Sequence, residues 1–331
     1  MITLRSAEFR RAREHAWLRL DEMVSLAERK GIGALSADEA QEIARLYRSA
    51  SSSLSVARNI ALDRNLILYL ENLTLRAYLV VYGPRIGALQ SLAVFFTGGF
   101  PKAVRKLVKH LAIVSAAMLI GLAAGYALVS ADAENFSSLV PGSLAGGRGV
   151  NSTREELLSD ELFAEWPGFV DTFVVFANSL FRHNAIVGVF SFGLGFALGV
   201  PTLLLVVYNG AVLGAFMALH AAKGLAVDFV GWIAIHGVTE ILAILLCAAA
   251  GLSIAETVIF PGDLSRPASL ALRGREAAGV AAGAVALFFI AGFIEGGFRQ
   301  LIASTPGRYA FALATAALWA LYFTRAGASD D

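Results

Sequence analysis

Residues 184–222 form a long run without Asp, Glu, Lys or Arg. A membrane-spanning helix needs about 20 mostly apolar residues, so this run has a length suited to two crossings. The whole chain of 331 residues is 57% hydrophobic and 16% charged, which is too apolar for a soluble domain of this length. The run therefore indicates a chain that spans a membrane more than once.

Other apolar runs of near-membrane length lie outside this segment. They cover residues 111–131, 229–254, 277–299 and 309–324. Runs of this length are typical of transmembrane helices. The sequence therefore predicts an all-α fold, with a polytopic bundle of about six crossings over residues 107–331.

The tripeptide Tyr208-Asn209-Gly210 lies in the middle of the charge-free run. Because Asn-Gly is a strong turn signal, we expect the chain to reverse there between the second and third crossings. An Asn at a helix break can also bind a ligand. Asn209, and Asn184 at the start of the run, are therefore candidate ligand or turn residues.

Pairs of glycines four residues apart recur along the apolar runs. They include Gly121/Gly125, Gly195/Gly199, Gly210/Gly214, Gly279/Gly283 and Gly292/Gly296. Small residues at this spacing let helix backbones approach closely in lipid, where the hydrophobic effect no longer drives helices together. We expect a tightly packed bundle that forms a homo-oligomer.

Residues 1–106 alternate charged and apolar positions at helical spacing and predict a soluble helical domain. The Gly31-Ile32-Gly33 stretch should end a first helix. Ser36 and Glu39 then match a capping box, in which each side chain satisfies a free amide at a helix start. A further helix should cover residues 63–82.

The basic and acidic residues of this chain are unevenly distributed. Of its 27 Lys and Arg residues, 17 lie between Met1 and His110, whereas the loop over residues 132–171 is mostly acidic. Cytoplasmic loops of membrane proteins carry an excess of Lys and Arg. We therefore expect a cytoplasmic (inner) membrane protein with both termini cytoplasmic and the acidic loop outside. The basic N-terminal part indicates topology, and not nucleic-acid binding.

The acidic outer loop also carries helical patterns. Ser152 and Glu155 match a second capping box. Three phenylalanines then recur at helical spacing: Phe169, Phe173 and Phe176. An outward amphipathic helix around residues 150–183, lying on the outer leaflet, fits this pattern.

Three polar residues inside the crossings are candidates for a site. His236 and Glu240 are four residues apart on the fourth crossing, and Glu295 lies toward the outer end of the fifth. A charge at mid-membrane costs roughly 2.5–3.5 kcal/mol, so these carboxylates should face each other, His236, a cavity or a cation. We therefore predict one intramembrane polar cluster. It could fix helix packing, transport ions or protons, or bind a divalent metal through one imidazole and two carboxylates.

Several motifs together resemble one family. They include Phe181-Arg182-His183-Asn184, Tyr208-Asn209-Gly210, His236-Gly237-x-x-Glu240 and Ile294-Glu295-Gly296. In these motifs the chain resembles the stage II sporulation protein M (SpoIIM) family of integral membrane proteins. Its long N-terminal domain is similar to the larger, non-sporulation branch.

The resemblance implies a membrane scaffold without enzymatic activity, catalytic residues or cofactors. It also implies partners at the cell envelope, either peptidoglycan-remodelling proteins or MoxR-type ATPases and von Willebrand A-domain proteins. The alternative function is an ion or solute channel or transporter whose pathway includes His236, Glu240 and Glu295.

The expected orientation can be tested by labelling single cysteines in intact cells. In a Cys247→Ser background, an impermeant thiol reagent should modify Asp160→Cys and spare Arg273→Cys, because the acidic loop lies outside and the basic loop inside. Labelling of both positions after cell lysis is the control. The reverse pattern in intact cells would contradict the orientation.

Overall fold

The computed structural model describes residues 2–60, 63–83, 88–164, 168, 180–298 and 301–328. Every regular element in this part of the chain is helical, which confirms the all-α prediction. The chain divides into two compact units, Met1–Gln90 and Ser91–Asp331. The division lies earlier than the boundary expected near residue 106.

The first unit contains three long helices. These are α1 (Ile2–Lys30), α2 (Ala37–Asn59) and α3 (Arg64–Tyr82). Gly31 follows α1 with a φ of 82°, a left-handed conformation that favours glycine and ends the helix. The predicted capping box at α2 is confirmed, because Ser36 accepts from the Glu39 amide and Glu39 accepts from the Ser36 amide.

The three helices enclose a core of their own. Its buried side chains include Trp17, Leu20, Ile43, Leu70 and Leu73. On the surface of this unit, Arg76 of α3 bonds to both Asp21 and Glu28 of α1, each at 2.7 Å. The hydrogen bond from Arg76 lowers the pKa of Glu28. The core and these two ion pairs together hold α3 against α1.

The second unit begins within the short helix α4 (Ala88–Val94), which leads into the π-helical turn Phe95–Gly99. Its helices are α5 (Phe100–Lys106), α6 (Val108–Ala131), α7 (Asn135–Leu139), α8 (Gly142–Ala145), α9 (Arg154–Leu157), α10 (Leu180–Gly193), α11 (Val200–Ala222), α12 (Ala226–Ile259), α13 (Arg266–Phe298) and α14 (Thr305–Arg325). Among the described residues, α6, α11, α12 and α13 are long and apolar enough to cross a membrane. Residues 184–197 form a shorter apolar helix, so the count of six crossings stays a prediction.

The first two long apolar helices run in the same direction. Gly121 of α6 lies against Val207 of α11. One turn later in both helices, Gly125 lies against Ala211, so α6 and α11 are parallel. The chain must therefore return between them, which is the role that α10 can fill.

The remaining long helices alternate in direction. At the start of α6, His110 lies 2.9 Å from Glu256 at the end of α12, so these two helices are antiparallel. Two hydrogen bonds make α14 parallel to α12: Thr305 to Asp228 at 2.6 Å, and Trp319 to Thr239 at 2.9 Å. This alternation is the pattern expected of consecutive crossings.

The predicted turn at Tyr208-Asn209-Gly210 is wrong. These residues lie inside α11, where the Asn209 amide donates to the Leu205 carbonyl at 2.8 Å. The chain instead reverses before α11, where Leu198 and Gly199 have φ values of 63° and 78°. Gly210 has a packing role, since a Cβ there would overlap the Met118 carbonyl of α6.

The chain after α6 folds onto the α11–α12 hairpin. Phe136, Leu157 and Leu162 are buried in one cluster with Leu219 and Phe229 of that hairpin. We call the α7–α9 region, residues 132–164, the cap.

The predicted capping box in the cap is displaced by one residue. Thr153 and Glu156 form it, while the Ser152 hydroxyl accepts from the Gly149 amide at 3.0 Å. Ser152 is thus already engaged and cannot cap the helix with Glu155. Phe169, Phe173 and Phe176 of the expected amphipathic helix lie outside the described residues.

The first unit should fold without the second unit, which contains the long apolar helices, because the core of the first unit is formed by its own helices. A fragment of residues 1–90 should be soluble and helical by circular dichroism. Leu70→Ala, at a fully buried position, should lower its free energy of unfolding by about 2–5 kcal/mol. Leu75→Ala, on an exposed leucine of the same helix, is the control and should change it little. Loss of cooperative unfolding in the unsubstituted fragment would contradict this prediction.

The α6–α11 contact should tolerate no side chain at Gly125, where a Cβ would overlap the Ala211 carbonyl. Gly125→Ala should destabilise the full-length protein by about 1–3 kcal/mol, because the helices must separate. The control is Gly193→Ala, at an exposed helical position with no atom near the added methyl. Thermal unfolding in detergent compares the two variants. Equal stability of both would contradict the close contact.

Candidate functional site

The structure places His236, Glu240 and Glu295 together between α12 and α13. Their candidate ligand atoms all lie within 4.8 Å of one another. His236 Nε2 lies 3.8 Å from Glu295 Oε1, and the two side chains are 7% and 2% exposed. We call these three residues the His/Glu cluster. His236 and Glu295 are buried, Glu240 is half-buried, and the cluster joins two neighbouring helices.

Local sequence accounts for the position of each member. His236 and Glu240 are four residues apart on α12, so they share one helix face. Glu295 lies near the end of α13. This helix is antiparallel to α12, because Gly274 lies near Ile254 while Glu295 lies near His236. Buried alanines share the faces that carry the cluster, which suits close approach of the two helices: Ala243 on α12, and Ala284 and Ala291 on α13.

Aromatic residues line the α12 side of the cluster. The Trp232 ring meets the His236 ring edge to face, with centroids 6.2 Å apart. Three residues along from His236, the buried Thr239 accepts a hydrogen bond from Trp319 of α14. The bond to α14 restricts the rotation of α12, and the Trp232 ring restricts the imidazole of His236 within α12.

The cluster can act as a cation site or as a polar link between helices. Two carboxylates offer acceptor oxygens, and an imidazole offers either a proton or a lone pair. In a site of low dielectric constant, interactions among such groups are stronger than in water. The separation of 3.8 Å between His236 and Glu295 suits an ion pair or a shared cation better than a direct hydrogen bond.

The two asparagines have different positions. Asn184 lies on α10, four residues before Gly188, and is half-buried. Because residues four apart share a helix face, Asn184 lies on the face by which Gly188 contacts α12 and α13. Asn209 bonds to the backbone of its own helix, and its predicted turn is absent.

Arg308 is a buried cation that the sequence analysis did not single out. Arg308 of α14 is fully buried, donates to the carbonyls of Ile302 and Leu162, and lies 4.4 Å from the centre of the Phe163 ring. It therefore ties the cap to the start of α14. In the sequence, Arg308 follows the capping residue Ser304 by one helical turn, and this position could have indicated a role at the helix start.

His220 is another buried polar residue that the sequence did not assign to a site. It is fully buried at the end of α11 and stacks on Phe229 of α12, with ring centroids 4.1 Å apart. Its Nδ1 lies 2.8 Å from the Phe216 carbonyl, so this nitrogen carries the proton. This arrangement supports packing of the α11–α12 hairpin.

Comparisons with known families match two segments of the chain. The family model for stage II sporulation protein M matches residues 112–298, which include the His/Glu cluster and Asn184. A domain family of unknown function, DUF8413, matches residues 7–83 in the first unit. Comparison with curated proteins and with solved structures gives no match. Because residues 112–298 are more than half of the chain, the protein belongs to the stage II sporulation protein M family.

Proposed function

We propose that this protein is a non-enzymatic scaffold of the cytoplasmic membrane. Its membrane unit forms a rigid platform of about six crossings, with both termini cytoplasmic, and it assembles as a homo-oligomer. Its first unit binds partners that act at the cell envelope. Membership of the stage II sporulation protein M family and the four long apolar helices support the membrane part of this proposal.

Close backbone packing is the observation that carries the proposal. Helices α6 and α11 interlock at four glycines, and at each a Cβ would overlap a carbonyl oxygen of the other helix: Gly121, Gly125, Gly210 and Gly214. Near the reversal before α11, Gly195 meets the Gly251 backbone of α12 in the same way. Helices joined by their backbones have little room to slide or rock, which suits a platform better than a moving gate.

The first unit carries a surface suited to partner binding. A groove of about 460 Å³ lies between α2 and α3, lined by Tyr47, Ser51, Leu54, Arg58, Glu71, Thr74, Leu75 and Tyr78. Leu75 and Tyr78 are 60% and 48% exposed, and the Tyr47, Tyr78 and Tyr82 rings contact one another. Exposed apolar surface with aromatic residues is typical of protein interaction sites. By family resemblance, the partners are MoxR-type ATPases, von Willebrand A-domain proteins or peptidoglycan-remodelling proteins.

A channel or transporter is the second candidate, because the His/Glu cluster places ionisable groups among apolar helices. Such residues frequently mark ion or proton pathways. The burial of His236 and Glu295 between closely packed helices favours a structural role in the scaffold.

Capture of partners from native membranes tests the scaffold. Full-length protein should retain a defined partner set, and Leu75→Arg should remove it by placing a charge in the groove. Leu18→Arg is a matched control, because Leu18 is 53% exposed on α1 and does not line the groove. The captured proteins are identified by mass spectrometry.

Two results would contradict the scaffold. One is an identical partner set for wild type, Leu75→Arg and Leu18→Arg. The other is ion flux in proteoliposomes that Glu240→Gln abolishes and Glu256→Gln preserves, since this result would support the transporter.

A further inference from the structure

The His/Glu cluster has the donor set of a metal site, and Asn184 lies on a third helix near the same level. We propose that His236, Glu240, Glu295 and Asn184 bind one divalent first-row transition-metal cation between α10, α12 and α13. This inference goes beyond the scaffold and does not depend on any partner.

The geometry of the three α12 and α13 side chains fits a single cation. Nitrogen and carboxylate ligands lie roughly 2.0–2.2 Å from metals such as zinc, so two ligands on opposite sides of the ion are about 4 Å apart. The candidate atoms of His236, Glu240 and Glu295 lie within 4.8 Å of one another, and the Nε2–Oε1 separation is 3.8 Å. Small side-chain rotations would bring all three to coordination distance.

The register of α10 supplies independent support. A Cβ on Gly188 would lie 2.6 Å from the Phe288 ring of α13 and 3.3 Å from Cys247 Sγ of α12. Gly188 is therefore level with these two residues. Asn184 lies one turn away on the same face of α10, level with residue 243 of α12 and residue 292 of α13.

Each carboxylate is displaced from that level by three residues, and both are displaced in the same direction because α12 and α13 are antiparallel. Glu240 precedes residue 243 and Glu295 follows residue 292, so both are about 4.5 Å beyond Asn184 along the bundle axis. The asparagine side chain and the longer glutamate side chains would close this offset together. A half-buried amide on the contacting face of α10 thus adds an oxygen donor from a third direction.

Charge and ligand type indicate the class of cation. Two carboxylates balance one divalent ion, so the assembled site would be neutral among apolar helices. One imidazole favours manganese, iron or zinc over magnesium and calcium, which prefer oxygen ligands alone. The carboxylate-rich set favours a harder ion than thiolate sites select, and Mn²⁺ is the suitable probe.

Titration of the full-length protein with Mn²⁺ tests the site. Protein in detergent, stripped with EDTA, should bind one Mn²⁺ per chain, as followed by electron paramagnetic resonance. Glu240→Gln and Glu295→Gln keep the side-chain shape and should weaken this binding at least about tenfold. Glu256→Gln is the matched control, since Glu256 lies at the far end of α12 and is 56% exposed.

A spectroscopic measurement on the wild type tests the site even if the Gln variants fail to fold. Mn²⁺ bound to the wild type should show magnetic coupling to one imidazole nitrogen, as His236 requires. The proposal is overturned if the wild type binds no stoichiometric Mn²⁺, if the bound ion lacks nitrogen coupling, or if both Gln variants bind as tightly as Glu256→Gln.

Discussion

Inside a lipid bilayer an apolar side chain gains little by leaving the hydrocarbon, so helices must be held by close contact at small residues. In this protein the contact is between backbones. The carbonyls of Val207 and Ala211 on α11 lie where Gly121 and Gly125 on α6 have no Cβ. This interlock fixes α6 and α11 as a parallel pair. The other helices and the cap pack around this pair, whose spacing and register are determined by the glycine contacts.

Close packing also determines where the buried polar groups meet. Alanines at positions 243, 284 and 291 let α12 and α13 approach until His236 and Glu295 are 3.8 Å apart. Bulkier residues there would hold the helices apart and leave each carboxylate to be neutralised separately. The His/Glu cluster therefore depends on the small residues around it. Whether it acts as a helix link or as a cation site, its geometry has the same origin.

The sequence predicted features that depend on neighbouring residues or on the lipid itself. The Ser36–Glu39 capping box is local, and the His/Glu cluster follows from the cost of isolated charges in lipid. The prediction of a turn at Asn209-Gly210 was wrong, because Gly210 packs against Met118, which is far away in sequence. The capping box lies one residue later than predicted because the Ser152 hydroxyl accepts from the Gly149 amide, a local turn that the capping pattern alone does not reveal.

The two ends of the membrane unit differ for separate physical reasons. One end gathers the basic residues Lys106, Lys109 and Arg273 at the starts of α6 and α13, which run in the same direction. The other end holds the cap, whose short helices and turns pack on the α11–α12 hairpin through Phe136 and Leu157. Irregular backbone of this kind is not tolerated in contact with lipid hydrocarbon, so we expect the cap at the membrane surface or beyond it. We therefore expect loop charge and backbone structure together to favour one orientation of the unit in the membrane.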